Sequence, residues 1–140
     1  MIRYKVVERK YRLSTNAGLY IEDHYGSKLD RRPLINRFIA SIYKKGTIVN
    51  SYPGSPGIFT FKTKKDAKTF ILRNAEFPED FMILRVRPIG RGKTPAKVVA
   101  GAVNAIADLR HYLKKESIDN IEFMSPPDGA ICYPSVEVLD

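Results

Sequence analysis

Eight consecutive residues, Asn50-Ser51-Tyr52-Pro53-Gly54-Ser55-Pro56-Gly57, contain two prolines and two glycines. Proline fixes φ and removes a backbone donor, and glycine favours neither helix nor strand, so no regular element runs through this stretch. It is a loop, and it divides the chain into short elements on both sides. The elements directly after it are well signalled. Ile58-Phe59-Thr60-Phe61 reads as a strand. Thr63 then caps a helix in which Ala67, Phe70, Ile71 and Ala75 share one face, and Asp66 completes a capping-box-like pair.

The other elements are read in the same way. Arg3 to Leu13 reads as one strand, with Tyr4 and Val6 alternating with Arg3, Lys5 and Arg9. Gly18 to Ile21 reads as a second strand, after a turn at Ser14-Thr15-Asn16. Residues 34–43 are ambiguous. Leu34, Ile35, Phe38, Ile39 and Ile42 make one helical face, whereas Phe38 to Tyr43 is also β-rich and leads through Lys44-Lys45-Gly46 into Thr47-Ile48-Val49 as a hairpin would. The helix is favoured over 31–40, and 41–43 is left open. Phe81 to Val86 is a central strand. A long helix is expected from Pro95 to Lys115, capped by Thr94, with Val99, Ala102, Val103, Ile106, Leu109 and Leu113 as its buried stripe. Asn120 to Phe123 and Ala130 to Tyr133 read as late strands. The expected fold is a single α+β domain spanning residues 1–140, with a mixed or antiparallel sheet packed by two or three helices.

Charge narrows the function classes. The net charge is +9, but it is unevenly spread. Residues 1–96 hold 20 Lys and Arg against 8 Asp and Glu, and residues 97–140 hold 4 against 7. Such a field points to an anionic partner, whether a small molecule or nucleic acid. No apolar run reaches the roughly 18–20 residues of a membrane span. Charges throughout the first twelve residues argue against an export signal, so a cytoplasmic protein is expected. One cysteine, Cys132, and two histidines, His24 and His111, give no metal-ligand spacing. No metal or cofactor is expected.

The segment Arg85-Val86-Arg87-Pro88-Ile89-Gly90-Arg91-Gly92-Lys93-Thr94-Pro95 most resembles a site. A strand ends in a loop with two glycines that feeds the expected helix. Unpaired first-turn N–H groups, the helix dipole and close approach at glycine would all favour phosphate there. Arg87, Gly90, Arg91, Gly92, Lys93 and Thr94 are the candidate ligand residues. The spacing is neither a Walker A loop nor a dinucleotide fingerprint. Tyr52, in the Pro/Gly loop, is a candidate for stacking on a base or ribose, whereas Phe59 and Phe61 share a strand face and are read as core. Lys28, Arg31, Arg32 and Arg37 form a second basic cluster, read as solvated surface.

Catalytic signatures are thin. Glu22-Asp23-His24 has no accompanying nucleophile motif, and Cys132 lies in an apolar strand, where a buried structural thiol is expected. The small residues Ala100, Gly101, Ala102 and Ala105 on the expected second helix would suit a homo-oligomer.

Ser55 to Ile71, SPGIFTFKTKKDAKTFI, and Ser125 to Leu139, SPPDGAICYPSVEVL, loosely resemble small phage and bacterial proteins that carry an aromatic strand, a Thr/Ser cap and a helix. Some proteins of that type sequester cyclic or modified ADP-ribose signals, and others resemble ADP-ribosyltransferases. The resemblance implies an α+β fold and a nucleotide-like ligand. The ordered Arg/His, Ser-Thr-Ser and Glu-x-Glu elements of a transferase find no counterpart in the sequence. The leading expectation is therefore a non-enzymatic binding protein for a nucleotide or other small phosphate-bearing ligand. A nucleic-acid-binding protein comes second, and a transferase-like enzyme third.

Overall fold

The computed structural model describes residues 1–16, 40–75, 77–96, 98–100 and 122–140. They form ten strands and one α-helix. In chain order the strands are β1 (Arg3–Glu8), β2 (Leu13–Thr15), β3 (Ala40–Ile42), β4 (Ile48–Asn50) and β5 (Ile58–Phe61), then β6 (Phe81–Ile89), β7 (Val98–Ala100), β8 (Glu122–Met124), β9 (Ala130–Tyr133) and β10 (Ser135–Val138). The helix, α1 (Lys64–Asn74), lies between β5 and β6. Six strands form one sheet in the order β4-β10-β6-β1-β5-β9, and every pairing in it is antiparallel. The pairs β2–β3 and β7–β8 stand as separate two-stranded ladders.

The fold is thus mainly β, and the expectation of a sheet packed by two or three helices is corrected. Only α1 is a helix of this length among the described residues. The decisive segment is Val98–Ala100. These residues pair with Glu122–Met124 where a long helix was expected to be under way. Two successive β-branched valines suit a pleated ladder, and partner strands distant in sequence outweigh local helical periodicity. Thr94 does not cap a helix; its hydroxyl donates to the carbonyl of Ala130 at 2.8 Å. The rest of that expected helix lies outside the described residues, as do the expected strand at 18–21 and the favoured helix up to residue 39. Ala40, at the end of that favoured helix, is in strand β3. Nor do 44–46 close a hairpin: β3 pairs with β2, and β4 pairs with β10.

The first expected strand also divides. Arg9 to Tyr11 turn, Arg12 takes a left-handed φ of 57°, and the chain restarts as β2. The turn is held by its neighbours, with the Arg9 N–H on the Asp80 carbonyl at 2.7 Å and the Tyr11 N–H on the Glu8 carboxylate.

Connectivity forces the sheet to coil. β9 and β10 are separated in the chain by Pro134 alone, yet they occupy the sixth and second places in the sheet. In a flat sheet, four strand spacings would part them by about 19 Å. Two Cα steps allow Tyr133 and Ser135 no more than about 7.6 Å. The sheet therefore curls like a sheared barrel until its margins approach at Pro134.

Its concave side holds one cluster drawn from both margins: Val49 of β4 and Tyr133 of β9, with Val7, Tyr43, Ile58, Leu84, Val86, Val136 and Val138. The convex side is covered in part by α1, whose Ala67, Phe70 and Ile71 meet the residues around Phe59, Phe61, Tyr4, Val6 and Ile83. Thr63 caps α1 by accepting from the Asp66 N–H at 3.0 Å, as the sequence led one to expect. Beyond the helix the convex side is open. There Arg87 and Glu137 face each other in register, as do Ser135 and Asn50.

Candidate functional site: a cationic cleft at the sheet margin

Where the curled margins meet, the Pro/Gly loop and the segment after β6 come together. β6 ends at Ile89, and Gly90 turns the chain with a φ of +90°, a conformation that side chains with a Cβ rarely adopt. The chain then crosses to the free edge of β9. There Lys93 and Cys132 exchange backbone hydrogen bonds of 2.9 and 2.8 Å. On the other side, the Ser51 N–H donates to the Pro134 carbonyl at 2.8 Å, and the Tyr52 N–H donates to the Asn16 carbonyl at 2.7 Å. These bonds fix both loops against one end of the sheet.

Between the loops lies an open cleft of about 500 Å³, lined by Ser51, Ser55, Pro56, Gly57, Arg91, Gly92, Lys93 and Pro134. Its volume falls within the range of small-molecule sites. Gly92 forms part of the floor. A Cβ at this position would stand 2.6 Å from Cε1 of Tyr133 and 2.8 Å from Cδ1 of Ile131. Only glycine lets the backbone lie against that ring. The Tyr133 hydroxyl in turn accepts from Nε of Arg3 at 3.0 Å. Neither Arg91 nor Lys93 is paired with a carboxylate among the described residues. The backbone N–H groups of Arg91 and Gly92 likewise have no backbone acceptor among those residues. Two cations and two serines therefore line one opening.

The other expected site residues are placed differently. Arg87 lies on the open convex face, ion-paired with Glu137. Thr94 is tied to Ala130, and the Lys93 N–H is spent on Cys132. Tyr52 anchors its loop through its backbone, and its side chain is not among the lining residues. The helix-dipole contribution expected at Thr94–Pro95 is withdrawn, because β7 comes next instead of a helix start. Ser51, Ser55 and Pro134 were not singled out from the sequence. The loop holding the two serines was its clearest punctuation, but nothing local shows that it faces residues 91–93.

Two buried groups lie in the sheet behind the cleft, Cys132 on β9 and Lys5 two strands further in on β1. Cys132 is wholly buried, and burial pushes its thiol up to about 12. Lys5 is 3% exposed, and burial pulls its ammonium down to about 7. Its Nζ donates to the Phe59 carbonyl at 2.8 Å and stands 5.3 Å from the centroid of the Tyr43 ring.

No helix among the described residues is long and apolar enough to cross a membrane, and no group of three metal-ligating side chains occurs among them. No protein-family model matches the chain, and neither a curated protein nor a solved structure is found to be similar to it.

Proposed function

We propose that the protein binds a small phosphate-bearing ligand in the cleft between the 51–57 loop and residues 91–93. The observation that carries this reading is the convergence of Arg91 and Lys93, neither held by a carboxylate of the described residues, with Ser51 and Ser55 around one opening. A guanidinium offers a planar fork of donors to phosphate oxygens, and an ammonium adds a compact charge. Serine hydroxyls and the N–H groups of Arg91 and Gly92 supply shorter-range donors. Pro56 and Pro134 give the cleft apolar walls suited to a ring or sugar face. The support is the charge and geometry of the cleft itself, without any helix terminus.

Calorimetric titration with inorganic phosphate, sulfate and nucleoside monophosphates tests the reading. Saturable binding at one site is expected, weakened at least tenfold in the Arg91→Ala/Lys93→Ala double variant. Unchanged affinity in that variant would sink the assignment. The salt response separates a second reading, nucleic acid held along the wider basic surface. Many phosphate contacts give a steep loss of affinity with added salt, and a single-phosphate cleft gives a shallow one.

A further inference from the structure

Lys5 sits two strands from the cleft, and the strands between make an unbroken lateral line. Its Nζ donates to the carbonyl of Phe59 on β5. Phe59 lies opposite Cys132 on β9, and Cys132 exchanges both backbone hydrogen bonds with Lys93, which lines the cleft. The β1–β5 seam is where this line starts. It holds a single register pair, Tyr4 with Phe61, whereas β1 and β6 share six. The amine of Lys5 adds to that seam a bond from its side chain to the Phe59 carbonyl.

The titratable and charged groups around Lys5 are few. Tyr43 comes from the segment between β3 and β4, Cys132 and Tyr133 from β9, and Arg3 from the same face of β1. Lys93 lies beyond Cys132, and Glu8, further along β1, falls on the opposite face of the sheet. No carboxylate of the described residues pairs with Lys5. An anion entering the cleft would meet Arg91 and Lys93 first, and its charge would also act on the buried amine, which has no carboxylate of its own among the described residues.

We propose that anion occupancy of the Arg91–Lys93 cleft is coupled to the protonation of Lys5, so that the cleft holds its anion more tightly when Lys5 is charged. The inference rests on the cleft reading above. Three interstrand steps, β1 to β5, β5 to β9 and β9 to the Lys93 segment, put the charges roughly 14 Å apart. At an effective dielectric near 20, such a pair changes an equilibrium constant by roughly fivefold. Linkage makes the effect reciprocal: bound anion raises the proton affinity of Lys5 by the same factor. Because burial already brings Lys5 down to about 7, the change falls near neutral pH.

Sulfate is the probe of choice, since it does not titrate in this range. Its affinity for the full chain is measured at constant ionic strength from pH 5.5 to 8.5, for wild type and for Lys5→Met. Wild type is expected to bind several-fold more tightly at the acid end, and the variant to show that part of the dependence removed. Comparing the two isolates Lys5 from every other titrating group. A second measurement uses no variant: the side-chain NMR titration of Lys5 should shift to higher pH with saturating sulfate. An unmoved midpoint, or a Lys5→Met profile that parallels wild type, overturns the coupling and leaves the cleft intact. Absence of sulfate binding at every pH overturns the cleft reading and the coupling with it.

Discussion

Gly92 lies against the ring of Tyr133 so closely that a Cβ on it would sit 2.6 Å from Cε1. The ring cannot give way freely, because Tyr133 is 4% exposed and belongs to the concave core. Gly92→Ala must therefore displace the 90–93 segment. Overpacking of this kind costs about 1–3 kcal/mol. A lowered denaturant midpoint is expected together with weakened sulfate binding. Tyr133→Phe keeps the ring and removes only the hydroxyl's bonds with Arg3 and the Met1 sulfur, so it should leave the floor in place. Equal stability and affinity for Gly92→Ala and wild type would show that the floor does not position the cleft.

Arg87 gives the opposite expectation. It stands directly across from Glu137 on the open convex face, with its side chain 55% exposed. An exposed pair of this kind contributes below about 1 kcal/mol. Arg87→Ala should therefore change stability little and leave sulfate affinity within error. If affinity fell as far as in Arg91→Ala, Arg87 would have to reach the ligand after all.

The contrast between these two residues shows what the sequence made legible. Residues 85–94 were marked by their glycines and cations, and Arg91, Gly92 and Lys93 of that segment line the cleft. A local reading could not separate them from Arg87, because the Gly90 turn sends the chain across the margin while Arg87 stays on the sheet. The Thr63 cap and α1 were legible because capping is local, resting on residues three apart. Val98–Ala100 was not, since its state is set by pairing with residues 122–124. Nor was the burial of Lys5. Alternation separated Tyr4 and Val6 from Lys5 as an apolar and a charged face, but the coiled sheet covers both faces of β1.

Asp140 carries a smaller, acid-side signature. The Arg85 guanidinium and backbone N–H hold its carboxyl down to about 2, below its ordinary 3.8. A carboxyl depressed in the folded state stabilises the fold above its unfolded value and loses that contribution as pH falls through the folded one. The pair is largely solvated, so the effect is small and screened by salt. Asp140→Asn should slightly lower the thermal midpoint at neutral pH, with the difference from wild type closing between about pH 4 and 2. A gap that persists at pH 2 would assign the effect to lost hydrogen bonds and not to charge.

Lys5 predicts the larger and opposite trend. Burial lowers its folded-state value to about 7 from an ordinary 10.5. Between those two pH values the unfolded chain holds a proton that the folded chain has released, so stability rises with pH across that window. Below about pH 7 both states are charged, and the fold bears the whole cost of a buried ammonium satisfied by one carbonyl and one aromatic ring. Each unit of displacement corresponds to about 1.4 kcal/mol, which makes the total a few kcal/mol in order of magnitude. Lys5→Met fills a similar volume without charge, but it leaves the Phe59 carbonyl without its donor, a loss of about 1–3 kcal/mol. Denaturant unfolding should therefore find Lys5→Met the more stable protein at pH 6. The advantage should shrink through pH 8 and reverse by about pH 10, where wild type keeps its hydrogen bond and no longer carries the charge. Two stability curves running parallel from pH 6 to 10 would show that Lys5 keeps its ordinary proton affinity in the fold.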